Sequence, residues 1–273
     1  MRIIAINSWL FRDLPVERTV EVAASIGYDA VEIPAVEVQR IGTENLNTLR
    51  KLTSRCGLKI SAVNAVVSFV PYIHGDIATK VLRRRQEFLQ QLKGIIDKTA
   101  MLDCRYLILA PGPRSEVYQT YDEAFMTNVE SLKYLGEHAS EAGVIILLEA
   151  MPFRYPFRTS KEIKRILDAV NMPSVRASLD TGHVRLAGEK LEDATDILKE
   201  QLKYIHLSNV RIEPGKPLLD EHRPLNDGII SRKEYLKLLS NMKNVPIAIN
   251  VVTTGDYIAC AKECLQMVKS LLS

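Results

Sequence analysis

Short apolar runs alternate with amphipathic helical patterns eight times along this chain. That recurrence limits the available folds more than any single motif does. The strand-like runs are residues 2–7, 29–33, 59–67, 105–110, 144–149, 175–180, 202–208 and 245–252. They are dominated by Ile, Val and Leu, the pattern of strands covered on both faces in a parallel sheet. Helical periodicity occupies residues 14–27, 44–56, 78–102, 121–142, 159–170, 191–202, 231–242 and 257–272. Gly27, Gly57 and Gly143 stand where three of these helices should end, and Thr159 to Glu162 has the form of a helix-starting cap. Eight strand–helix units with no linker or composition break predict a single (β/α)8 TIM barrel spanning residues 1–273. A doubly wound open sheet is the alternative.

Composition narrows the partners. Basic residues (36) exceed acidic ones (33) by three, giving a formal net charge of +3. Such a small excess argues against nucleic acid or an anionic membrane surface as the main partner. No apolar run reaches membrane-spanning length, so no membrane partner is expected. Cys56, Cys104, Cys260 and Cys264 lack C-x-x-C spacing and lie in or beside helical patterns, so they read as reduced packing thiols. The first strand begins at once, without a leader pattern. The expectation is a cytoplasmic enzyme or binding protein acting on a small molecule, with a homo-oligomer compatible with all of this.

The polar residues at strand ends carry the chemistry. Residues 144–149 run through five apolar positions into Glu149. Residues 175–180 end in Asp180, with His183 three positions on, and His206 stands near the end of residues 202–208. In a barrel, the C-terminal ends of the strands form the active face. One such carboxylate is equally well explained by an ion pair with a nearby Lys or Arg. Three successive strand ends bearing Glu, Asp and His are better explained by one mixed oxygen and nitrogen site for a divalent metal.

The segments Leu148-Glu149, Leu179-Asp180-Thr-Gly-His183, Ile205-His206-Leu-Ser208 and His222-Arg-Pro-Leu-Asn-Asp-Gly228 resemble the xylose-isomerase-like barrels, a superfamily of sugar and sugar-phosphate isomerases and epimerases. The resemblance covers nearly the whole chain. It implies a divalent ion (Mn, Mg, Co or Zn) held by Glu149, Asp180 and His206, with His183 beside it touching a sugar-like substrate. Glu149 and His183 are then the catalytic candidates, working on a carbon made acidic by the ion's pull on a carbonyl. Strand eight departs from the pattern. Family epimerases end that strand in a second glutamate, and here the matching residue is Asn250. Asparagine can offer an oxygen to a metal but cannot exchange a proton near neutral pH.

Arg211, His222, Glu32 and Trp9 are further candidates for touching substrate, and Tyr72, Phe153 and Tyr155 for walling its pocket. Arg154 and Arg158 offer anion contacts. His74 and His138 read as structural. Asp220 and His222 have an Asp-x-His spacing that in the related apurinic endonucleases holds an additional zinc. Asn64 and Ala110 occupy places where those nucleases carry histidines, which disfavours a nuclease. The expected activity is therefore a metal-dependent isomerase or epimerase of a small sugar, keto-sugar or polyol-derived carbonyl compound. A catalytically altered sugar-binding barrel and a dehydratase are the alternatives.

Overall fold

A computed structural model describes residues 2–66, 76–112, 120–152 and 156–272. His74, Tyr72, Phe153, Arg154 and Tyr155 lie outside them. Eight parallel strands close into a barrel in the order in which they occur in the chain. They are β1 (Ile4–Asn7), β2 (Ala30–Pro34), β3 (Lys59–Asn64), β4 (Tyr106–Leu109), β5 (Ile145–Glu149), β6 (Val175–Asp180), β7 (Leu202–Leu207) and β8 (Ile247–Ile249). The barrel closes where β1 pairs with β8, with Ala5 beside Ala248.

The surrounding helices are α1 (Val16–Ile26), α2 (Ala35–Arg40), α3 (Thr43–Arg55), α4 (Leu82–Met101), α5 (Tyr121–Glu141), α6 (Ser160–Val170), α7 (Thr181–Leu186), α8 (Leu191–Leu198), α9 (Arg232–Asn241) and α10 (Tyr257–Leu272). The expected helices are all present. Two short ones, α2 and α7, fall where the sequence reading placed no element. Each follows a strand directly and is too short for helical periodicity to register. Strand eight is also shorter than residues 245–252, because Pro246 cannot donate to a ladder.

Local chemistry sets the helix ends. Thr120 with Glu123, Thr159 with Glu162 and Ser231 with Glu234 form reciprocal capping boxes at α5, α6 and α9. Gly27 ends α1 at φ +96°, a left-handed backbone that strains any residue with a Cβ.

Two apolar layers follow from the alternation of strand side chains. Outward-facing Ile6, Val31, Ile33, Val63, Ile146, Leu148, Leu179, Ile205 and Ile249 pack against the helices as the main core. Inward-facing Ala5, Ala30, Ala62, Ile108, Leu147, Tyr204 and Ala248 fill the barrel. Four of these seven are alanines, which leaves room for the Tyr204 ring. Its hydroxyl reaches Ser61 Oγ at 2.7 Å.

Candidate metal centre

One step further along each strand, the inward positions become polar. Asn7, Glu32, Asn64, Glu149, Asp180 and His206 are the inward residues at the C-terminal ends of β1, β2, β3, β5, β6 and β7, and Asn250 follows β8 directly. Hydrogen bonds join all of them but Glu149 across the barrel. All but Asn250 are buried. Burying so many polar groups costs stability unless each is paired.

His206 is the centre of this layer. Its Nε2 lies 2.7 Å from Glu32 Oε2, and its Nδ1 lies 2.8 Å from Glu149 Oε2. Glu149 lies off the direction of a ring N–H at Nδ1, so that buried atom has no hydrogen-bond partner. Glu149, Asp180 and His206 each present an atom within 4.8 Å of the others. Two carboxylates and a buried, unpartnered imidazole nitrogen fit a divalent ion. Burial lowers the pKa of His206, but the carboxylates of Glu149 and Glu32 outweigh that and raise it well above the ordinary value. An ion at Nδ1 therefore displaces a proton.

The other ligands are held as firmly. Asp180 caps α7, its Oδ1 accepting from Gly182 N (2.7 Å), His183 N (3.1 Å) and Ser208 Oγ (2.7 Å). Glycine is required at 182, because a Cβ there would lie 2.5 Å from Ser208 Oγ. Burial raises the Asp180 carboxyl, but His183, His222 and His206 together hold it below its usual range. Glu149 Oε2 also accepts from Ser178 Oγ at 2.6 Å.

Asn250 has its amide direction set from the neighbouring strand β1. Trp9 N–H donates to Asn7 Oδ1 (2.9 Å), so the Asn7 amide nitrogen must face the site. That nitrogen donates to Glu32 Oε1 (2.8 Å) and to Asn250 Oδ1 (2.9 Å). The Asn250 nitrogen is left to donate to Asp180 Oδ2 at 3.1 Å. In this arrangement Asn250 presents a donor to the ligand set, and its oxygen is engaged by Asn7.

A second cluster lies beside the first. Asp180, His183 and His222 present atoms within 4.8 Å of one another. His183 Nδ1 faces Ala150 O at 3.0 Å, and its Nε2 faces Asp220 Oδ2 at 3.1 Å. His222 adopts φ +45°, an uncommon backbone for a non-glycine residue, and its buried Nδ1 has no hydrogen-bond partner. Asn209 holds the long loop that brings Asp220 and His222 here. It donates to Leu225 O and Ile230 O and accepts from the Val210 and Ile230 N–H groups.

Glu149, Asp180, His206, Asn250, His183 and His222 thus gather at one mouth. Glu32 is fully buried behind His206 rather than open to substrate. Arg211 is half exposed and pairs with Asp227 at 2.6 Å. Trp9 is partly buried and contributes its backbone N–H. The sequence assigns no role to Asn7 or Ser178, names Ser208 only inside a motif, and marks Asn64 only as not histidine. Each occupies an inward position near a strand end, as Glu149 does. That parity was the available signal.

The cluster makes stability depend on pH when no ion is bound. Burial lowers the His183 pKa, but Asp220, Asp180 and Glu149 raise it to about 10. The folded protein therefore holds this proton more tightly than the unfolded chain, where His titrates near ~6.5. The resulting stability is full below that value and is lost as pH rises through about 10. Thermal unfolding in EDTA should show midpoints falling across that window, with a shallower slope in His183→Gln. Equal slopes in the two proteins would refute the assignment.

The chain is a closed (β/α)8 barrel with a carboxylate–imidazole group at its C-terminal mouth that could hold a metal ion. Residues 20–265 match the model of the xylose isomerase-like TIM barrels, and the chain belongs to that family. A probable endonuclease 4 of Mycoplasmopsis pulmonis is 27% identical over 204 residues, covering 69% of this chain and 70% of that protein. A putative hydroxypyruvate isomerase of Caenorhabditis elegans is 23% identical over 253 residues, covering 86% and 92%. The structure of an L-ribulose 3-epimerase superposes with a TM-score of 0.84 at 17% identity, covering 100% of this chain and 95% of that one. At that identity the likeness is one of fold.

Proposed function

We propose that this barrel is a divalent-metal-dependent isomerase or epimerase of a small sugar-like hydroxycarbonyl compound. The observation that carries the reading is the Glu149–Asp180–His206 set, with the unpartnered His206 Nδ1 inside it. The similarity to a putative hydroxypyruvate isomerase and the fold shared with an L-ribulose 3-epimerase point the same way. A divalent ion held there supplies electrophilic pull on a carbonyl and its neighbouring hydroxyl, making the adjacent C–H acidic. Glu149 is the base for that proton, and Ser178 keeps its carboxylate aimed. Asp180 is fixed by its bonds to Gly182, His183 and Ser208 and stays ionised. Asn250 has no proton to exchange, so no second acid or base acts from strand eight. One base suits a transfer in which Glu149 returns the proton to the neighbouring carbon on the same face.

Incubation in D2O with Mn²⁺ and a series of small hydroxycarbonyl compounds tests this. Solvent deuterium should enter the carbon next to the carbonyl in an ion-dependent way and should not do so with Glu149→Gln. Stoichiometric ion binding without exchange on any of them would leave a binding protein instead.

A second reading is favoured by the Asp180–His183–His222 grouping together with the probable endonuclease 4 similarity. In it, Glu149, Asp180, His183, His206 and His222 would hold ions that would favour hydrolysis of a phosphodiester. Asn64 weighs against it, because its amide is committed to Glu32 at 2.8 Å. Cleavage of a duplex carrying a single abasic site would establish that reading, and an intact duplex would dismiss it.

A further inference from the structure

Both oxygens of Glu32 are engaged inside the barrel. Its Oε1 receives the amide N–H groups of Asn7 and Asn64, both at 2.8 Å, and its Oε2 faces His206 Nε2 at 2.7 Å. Neither asparagine can turn over. Asn7 Oδ1 is held by Trp9 N–H and Asn64 Oδ1 by Val66 N–H, each at 2.9 Å. Two fixed donors therefore claim one oxygen of Glu32. As a carboxylate oxygen the other is an acceptor too, which calls for a hydrogen on His206 Nε2. The Tyr204 ring stands edge-on to the imidazole at 5.5 Å and 89°, which holds the ring plane.

We propose that Glu32 is a positioning residue that fixes His206 with its hydrogen on Nε2, leaving Nδ1 as the lone pair offered to a divalent ion. The inference rests on the proposed ion centre. It assigns Glu32 a role away from substrate: it selects which ring nitrogen binds. Partners behind a ligating histidine set its tautomer in this way.

Glu32→Gln tests it, because glutamine keeps the shape and exchanges one acceptor for a donor. Facing the asparagines, the new NH2 would meet two fixed donors. Facing His206, it meets one N–H, and the ring relieves that conflict by moving its hydrogen to Nδ1. Zn²⁺ affinity by calorimetry should fall about 10–100-fold. Nitrogen-15 NMR of the metal-free variant, at a pH where the ring is neutral, should place the His206 hydrogen on Nδ1. In the zinc-loaded wild type, the hydrogen should be on Nε2 and Nδ1 should carry the metal-bound shift.

Unchanged affinity would overturn the proposal. So would an Nε2 hydrogen retained in the variant, since the affinity loss would then reflect only the missing charge. If Glu32→Gln fails to fold, the zinc-loaded wild type decides, because binding through Nε2 would exclude the assignment. If the wild type takes up no zinc, the proposed function fails, and the tautomer in the metal-free variant still tests Glu32 on its own.

Discussion

His206→Ala is expected to abolish divalent-ion binding and to destabilise the metal-free protein by about 3–5 kcal/mol, the usual effect of removing one partner from a buried charge pair. His206 is fully buried, with Glu32 on one side at 2.7 Å and Glu149 on the other at 2.8 Å. Its removal leaves two buried carboxylates facing a cavity with no positive charge between them. A ligand open at the barrel mouth would contribute little to the core, whereas His206 is fully buried in it. Urea unfolding in EDTA gives the stability, and Mn²⁺ calorimetry gives the binding. Wild-type stoichiometry in the variant would remove His206 from the ligand set. Wild-type stability would mean that the buried pairs contribute nothing net.

Asn250→Glu should act in opposite directions on the two states. Mn²⁺ should bind roughly tenfold more tightly or better, since each added carboxylate strengthens the hold on a hard cation. The metal-free protein should lose about 1–3 kcal/mol, the cost of leaving buried polar groups unpaired. The substitution breaks the Asn7–Asn250 bond and puts a carboxylate against Asp180 Oδ2. Activity discriminates further. A restored second acid or base is worth roughly 10²–10⁴-fold where proton transfer limits the rate. If the Asn250 amide instead donates to substrate, ion affinity rises while native activity disappears. Calorimetry and unfolding in EDTA, run on both proteins, decide the first part. Weaker ion binding in the glutamate variant would mean that this side chain does not face the ion.

Much of this was legible before any coordinates. The eight units gave the barrel because buried parallel strands and amphipathic helices leave different periodicities. Glu149, Asp180 and His206 stood out because a polar residue closing an apolar run has no packing reason to be there. Asn7 and Asn64 escaped because an asparagine just before a turn looks like ordinary turn chemistry. Only the alternation, carried around all the strands, puts them in one layer with Glu149. Glu32 was recognised as out of pattern, but whether it faced substrate or backed a ligand depended on the neighbouring strands. The direction of the Asn250 amide was beyond the sequence altogether, since it follows from a backbone N–H at Trp9. The Asp220–His222 pair was visible as a spacing, while its approach to His183 depends on how Asn209 ties down the loop.

The hydrogen bond from Asn7 to Asn250 crosses the seam where β8 meets β1, joining residues 243 positions apart. The full set of bonds around the constellation therefore requires the closed barrel. A half-built barrel can hold Glu149, Asp180 and His206 on three consecutive strands, but the Asn7–Asn250 and Glu32–His206 bonds that orient their surroundings need the first and last strands docked. An ion bound to the finished centre rewards closure rather than early collapse. It belongs among the interactions that delay opening of the seam without hastening its formation, so that loading acts as a latch on a door already shut.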